Sequence, residues 1–496
     1  MKHSSLILKV SFLLLISSTI VGSANAVSAG GVCVKVGSTT KISSVTYVCK
    51  KAPGKKIIWV KKIVATPKKL VPKATRSPSP KATQIPTSSS STSPAVTTPT
   101  PSPSVEKPFV YQLPANYLQI FAGPEFDQSP KLPSGLAIGH TIFDYFSDTF
   151  SKKYLSPTID SVKSSGVGWV AFDNYYTYTS LEPPVIAPFP TPFFPAFAMR
   201  EASDSELAAM IKRAHTDGLK FALFSELNWN GLSAQTMGVT TGLLNDQAKA
   251  EKRLRELADA LSNPTPAVNK FWDDWFAVYG NFIVHQADIA QANAVEMLAI
   301  GHQLGPVIAW ENLPRWKALI AKVREHYKGT VVYIASEGKD WSEANGFPAW
   351  ADLDGIVMTV GNQAPATQGR SVSQIQNDMK AMLDQKFKPL ATQYGKKVYL
   401  LTYFQAATTQ EWFEAGPVTG GHDFIIQDQL AQAKLYEALF QTVKNETWIG
   451  GVFTWGYWWR DDLQTLMTPG DSALDKSSNV RNQPAMEIIK KWATVT

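Results

Sequence analysis

The chain has 496 residues, 44% of them hydrophobic and 11% aromatic, which excludes a wholly disordered or collagen-like protein and allows a large enclosed core. The formal charge of +7 invites a nucleic-acid reading, but residues 1–108 hold 16 Lys/Arg against one acid, Glu106, leaving 109–496 with a net charge of −8. Nucleic acid is therefore not an expected partner, and with one apolar run near spanning length a multi-pass membrane protein is excluded.

Lys2, His3 and Lys9 precede the apolar run Val10–Ile20, and Ala24-Asn25-Ala26 follows it, the layout of a cleavable secretory signal over 1–26. The protein is thus expected to be secreted, extracellular or cell-wall associated. A retained anchor is the alternative, against which the run is shorter than a bilayer needs. Residues 27–62 read as a small β module with strands at Val32–Val36, Val45–Val48 and Ile57–Val60. Cys33 and Cys49, the only cysteines, are expected to form a disulfide that stabilises a module with little core. Residues 63–108, rich in Pro, Ser, Thr and Lys, read as an extended linker. It is a plain solvated spacer or, through its basic residues, a contact with an anionic cell-wall polymer.

From 109 to 496 a helix, a glycine stop and a short apolar strand recur. Ser203–Glu206 is a capping box, Leu207, Met210, Ile211 and Ala214 form one stripe, and Gly218 precedes the strand Lys220–Phe224. Trp316, Leu319, Ile320 and Val323 stripe another helix ahead of Gly329 and Thr330–Ala335. Further strands are expected at Gly135–Ile142, Val167–Phe172, Val295–Ile300, Gly355–Val360, Val398–Thr402 and Ile449–Trp455. Eight near-continuous apolar strands alternating with helices imply an α/β fold, a closed (β/α)₈ TIM barrel, whose chemistry sits at the strand C-termini. No phosphate loop is present, and neither a metal nor a cofactor is expected.

The strand ends carry His140; Asp173, Tyr175 and Tyr176; Glu226, Asn228 and Trp229; His302 and Gln303; Glu337 and Trp341; Asn362; Tyr403; and Trp455 and Trp458. Aromatic faces stack on sugar C–H surfaces while amides and carboxylates bind hydroxyls, so an oligo- or polysaccharide cleft is the natural reading. About half of these aromatics are expected simply to pack helices on the barrel.

Several segments, in order, resemble glycoside hydrolase clan A, most nearly the β-mannanase-like family 113: Ile159–Phe172, Ala208–Ala222 with Ala214-His215-x-x-Gly218, Phe271–Gln303, 315–333, 353–356 and 450–455. The resemblance implies a carbohydrate-active barrel, here expected to be a monomer. It also implies an acid/base glutamate ending strand four and a nucleophile glutamate ending strand seven. Gln303 and Tyr403 stand in those places. A glutamine has no proton to titrate, so the family's mechanism does not carry over.

Three readings follow. The acids have moved, with Glu226 and Glu337, two strands apart, forming an inverting pair and Asp173 a further base. Tyr403 is itself the nucleophile, activated by a neighbouring carboxylate. Or the barrel keeps its cleft without the chemistry and binds a glycan. For the exported protein, mass spectrometry of non-reduced peptides is expected to show a Cys33–Cys49 linkage, and two free thiols would refute it.

Overall fold

A computed structural model describes residues 39–42, 45–51, 57–61, 113–143, 150–188, 200–228, 240–336, 343–361, 363–408, 410, 426–458 and 476–494. The expected signal segment, the 63–108 linker, Cys33 and the strand Val32–Val36 lie outside these residues. The chain divides into two units, Met1–Pro103 and Ser104–Thr496. In the first, β1 (Thr39–Ile42), β2 (Val45–Lys51) and β3 (Ile57–Lys61) form an antiparallel sheet with β2 in the centre. Cys49 lies in β2, in register with Trp59 of β3.

The second unit is a closed barrel of eight parallel strands: β4 (Ala137–Phe143), β5 (Trp169–Ser180), β7 (Lys220–Asn228), β8 (Met297–His302), β9 (Thr330–Ala335), β10 (Gly355–Val360), β11 (Lys397–Thr402) and β12 (Ile449–Trp458). All eight stand where the sequence pattern expects them, and β4 closes the ring by pairing with both β12 and β5. β5, β7 and β12 run several residues past their expected ends. On β5 the excess forms a hairpin with the short antiparallel β6 (Val185–Pro188).

Local chemistry explains the helices between the strands. Ser203 and Glu206 close the expected capping box of helix Asp204–Thr216, and Arg200 clamps both oxygens of Glu206 at 2.6 and 2.7 Å. That helix buries the stripe Leu207, Met210, Ile211 and Ala214. Gly218, at φ +76°, takes the left-handed turn that starts β7. Helix Leu313–His326 likewise buries Trp316, Leu319, Ile320 and Val323.

Two cores result. Alternation along each strand sends Ala137, Ala171, Ala222, Phe224, Met297, Ala299, Leu401 and Phe453 into the barrel, where small and large side chains interleave. Gly139 is part of that fit, because a Cβ there would stand 2.7 Å from the Phe453 ring. The opposite strand faces meet the helices, most densely at helix Pro266–Ala292. There Trp275 donates to the Tyr178 hydroxyl at 2.9 Å and Tyr279 to the Ile300 carbonyl at 2.9 Å.

Helix Gln429–Val443 carries a wholly buried carboxylate, Glu437. It accepts from the Asp127 backbone N–H (2.7 Å), Lys491 Nζ (2.9 Å), Trp492 Nε1 (3.0 Å) and Gln441 Nε2 (2.8 Å). One side chain thus ties the segment before β4 and the helix Pro484–Ala493 to the barrel wall. Glu437→Ala takes the acceptor from the buried Trp492 indole N–H and from three half-buried donors, and is expected to destabilise the barrel by roughly 1–3 kcal/mol, read from chemical denaturation.

Candidate functional site

The alternation that fills the barrel also decides which side chains reach its open end. On β5, Trp169, Ala171 and Asp173 follow one another inward, and on β7 Ala222, Phe224 and Glu226 do the same. Asp173 and Glu226 are therefore the top layer of two adjacent strands. On β11 and β12 the same step raises Tyr403 and Trp455, whose rings stack at 4.9 Å between centroids.

β8 breaks the rule. Strict alternation after Met297 and Ala299 would turn Gly301 inward and His302 outward, but the pairing with β9 shifts register between Ala299 and His302. The Ile300 and Gly301 positions both face the helix side, where a Cβ on Gly301 would meet Leu304 and Tyr333 at 2.8 Å. His302 enters the barrel instead. Gln303 follows at φ +50°, exposed at the rim, its N–H donating to the Ile334 carbonyl at 3.0 Å.

The result is a compact polar cluster. One ligand-type atom each from Asp173, Glu226 and His302 lies within 4.8 Å of the others. His302 Nδ1 is 3.1 Å from Glu226 Oε2, although neither atom makes an aligned hydrogen bond. His302 Nε2 faces the Tyr403 hydroxyl at 3.3 Å, and the His302 ring meets Trp455 edge-on at 5.4 Å. Asp173 is 1% exposed, and among the described residues neither of its oxygens has a hydrogen-bond partner. Burial pushes its carboxyl well above the usual range, and the charges of Glu226 and Glu201 push the same way. A carboxyl held up in this way favours its neutral form. Burial, Glu226 and Asp173 likewise push the Tyr403 phenol up, against a hydrogen bond from Gln303. An activated tyrosine nucleophile needs a shift in the other direction.

Two further buried polar groups lie near the strand ends, Glu201 without a sequence signal and Gln405 at the end of the seventh strand. Glu201 accepts from the Tyr175 N–H at 2.6 Å and the Ala202 N–H at 3.0 Å, fixing the backbone two residues past Asp173. Only Arg200 and the capping box flank it in sequence. Gln405 is 1% exposed with both amide atoms unpartnered.

The remaining expected residues divide. His140 lies on the helix-facing side of β4, its ring nitrogens 2.9 Å from Thr454 Oγ1 and 3.0 Å from Ser165 Oγ, stacked on Tyr457 at 4.6 Å. It does not join the cluster. Tyr176 also faces outward, stacked on Phe282 at 3.9 Å, whereas Tyr175 is buried in register with Glu226. Asn228 and Trp458 end β7 and β12 without described side chains, and Trp229, Glu337, Trp341 and Asn362 lie outside the described residues. At the opposite end of the barrel a depression of about 860 Å³ is lined by Trp169, Lys220, Glu296, Arg324, Asp354 and Tyr399. Its charges are committed to one another or to neighbours, Arg324 to Asp354 and Glu296 to His215.

The sequence profile of Glycoside Hydrolase Family 113 matches residues 259–474, so the family resemblance read from the sequence holds. Among solved structures, the GH113 β-mannanase AaManA from Alicyclobacillus acidocaldarius, in complex with ManMIm, superposes at a TM-score of 0.51. The two share 17% identity over 74% of this chain and 98% of that one. A GH113 β-1,4-mannanase gives 0.49 at 20% identity, over 74% of this chain and the whole of the other. No curated protein sequence matches significantly. The chain therefore has a glycoside-hydrolase-like fold.

Burial depresses the His140 ring to a pKa of about 3 from 6.5. A folded value below the unfolded one means that stability is intact above pH 6.5 and is lost as pH falls toward 3, by about 1.4 kcal/mol per unit. NMR of the ring carbons is expected to show His140 still neutral at pH 5 in the folded protein.

Proposed function

We propose that this chain is an exported, glycoside-hydrolase-like barrel that binds an oligosaccharide of the β-mannan type at the C-terminal mouth of its strands. The observation that carries this reading is the Tyr403–Trp455 stack set directly against Asp173, Glu226 and His302. A sugar ring presents an apolar face with hydroxyls at its edge, and an aromatic wall beside lone-pair donors is complementary to both. The GH113 structure that superposes at 0.51 is a β-mannanase, which favours a mannan-like ligand. In this reading the basic segment 27–108, with 14 Lys/Arg and one acid, holds the protein to an anionic cell-wall polymer.

Binding without hydrolysis accounts for the two family positions. Gln303 has no proton to give, and Tyr403 is a buried phenol held in its neutral form. One observation favours hydrolysis instead. Asp173 and Glu226 come within 4.8 Å, nearer the roughly 5–5.5 Å of a retaining pair than the roughly 6.5–9.5 Å of an inverting one.

Tryptophan fluorescence titrated with manno-oligosaccharides and other β-linked glycans is expected to shift for at least one class. Trp455→Ala should weaken that binding roughly tenfold, while Tyr403→Phe, which keeps the ring, changes it little. If no glycan perturbs the parent, the carbohydrate assignment fails. Turnover in the parent that falls by roughly 10²–10⁴ in Glu226→Gln and Asp173→Asn would replace the binding reading with the hydrolytic one.

A further inference from the structure

Four atoms inside the barrel mouth find no hydrogen-bond partner among the described residues. Asp173 Oδ1 and Oδ2, Glu226 Oε2 and His302 Nδ1 are all buried. Each of the three residues nevertheless brings one ligand-type atom within 4.8 Å of the other two. His302 Nε2 stands 3.3 Å from the Tyr403 oxygen, and in the tautomer protonated at Nε2 the ring presents a lone pair at Nδ1, 3.1 Å from a carboxylate oxygen. Lone pairs facing one another in a water-poor site repel unless something positive lies between them.

We infer that Asp173, Glu226 and His302 form a binding site for a divalent metal ion of the zinc or manganese type. Two carboxylates and one imidazole are ligands that such ions accept. Bonds of about 2.0–2.2 Å to one ion place adjacent donors roughly 3.0–3.4 Å apart, and the His302–Glu226 separation of 3.1 Å already falls there. The hydroxyl of Tyr403 on the far ring nitrogen is the outer partner that fixes the tautomer of a metal-bound histidine. The register shift in β8 that turns His302 inward has, on this account, a purpose that ring packing alone lacks. Three protein ligands leave coordination positions open, as in sites that take up an external ligand. Glu226, whose side chain is 23% exposed, marks the side that faces outward. A pair of neighbouring sugar hydroxyls would fill the open positions, and this last step rests on the glycan-binding reading; the ion site itself does not.

A proton shared by the two carboxylates is the competing occupant, and it leaves the site indifferent to metal. The test is calorimetric titration of chelator-treated full-length protein with zinc and, separately, manganese chloride, with thermal unfolding followed alongside. One ion is expected to bind per chain and to raise the unfolding temperature. Glu226→Gln, Asp173→Asn and His302→Gln should each weaken binding at least tenfold. Asp173→Asn replaces a buried carboxyl without a hydrogen-bond partner among the described residues by a neutral amide of the same shape, so its metal-free form is expected to be at least as heat-stable as the parent. Should either remaining variant misfold, the thermal shift of the parent still decides the matter. No binding, no shift, or binding that the variants leave unchanged overturns the inference. The glycan titration is repeated with chelator present. Glycan binding that persists where no metal binds refutes the ion site and leaves the glycan reading intact, whereas metal binding without any glycan response does the reverse.

Discussion

Closure of the sheet through β4, which pairs with β12 on one side and β5 on the other, is the constraint on which everything else in the second unit rests. Once the ring is closed, each of the eight strands has one face toward a common axis and one toward a helix, with no edge left among them. Side chains inside must then share a fixed volume, which is why Ala137, Ala171, Ala222 and Ala299 stand among Phe224, Met297 and Phe453, and why position 139 is glycine. The same geometry stacks the inward residues in layers from one end to the other. The uppermost layer is the site, so its composition follows from strand register rather than from any local motif.

That register reconciles two features that conflict on a sequence line. In the family pattern, position 303 is where a carboxylate is expected, and Gln303 is a loss. In the barrel the shift within β8 brings the preceding residue, His302, to the axis and leaves Gln303 exposed at the rim. The side chain that this strand sends to the axis is therefore His302. Across the axis, Tyr403 keeps the place that strand seven gives it, but as an aromatic wall on Trp455 that hydrogen-bonds His302. A histidine, two carboxylates from adjacent strands and a phenol thus share one end of a barrel whose residues 259–474 match the family 113 profile.

The cluster is costly as it stands. Asp173 and Glu201 are both buried carboxyls pushed upward by their surroundings, and for Glu201 burial outweighs two backbone N–H groups and the charge of Arg200. Strain of this kind is ordinarily removed by substitution unless the cluster meets a ligand that repays it. The contrast with Glu437 is instructive, since that carboxylate is equally buried but has four donors around it and serves only to fasten the termini to the wall.

What the sequence by itself determined is the scaffold. Apolar runs of strand length, helical stripes such as Leu207–Ala214 and glycine stops such as Gly218 are local signals, so eight strands and the TIM barrel could be read from them one after another. Asp173, Glu226, His302, Tyr403 and Trp455 were legible as candidates because each ends such a strand. The first strand of the small module, at Thr39–Ile42, was not, since four residues hold too little alternation to stand out. Tertiary structure alone decided which candidates meet. Alternation sent His140 and Tyr176 to the helix side, where Ser165 and Phe282 hold them, and no local signal announced Glu201. The bulge in β8 inverted the expected facing of His302 and Gln303, because one extra residue in a strand of period two reverses every side chain after it, and only the pairing with β9 fixes where that residue goes.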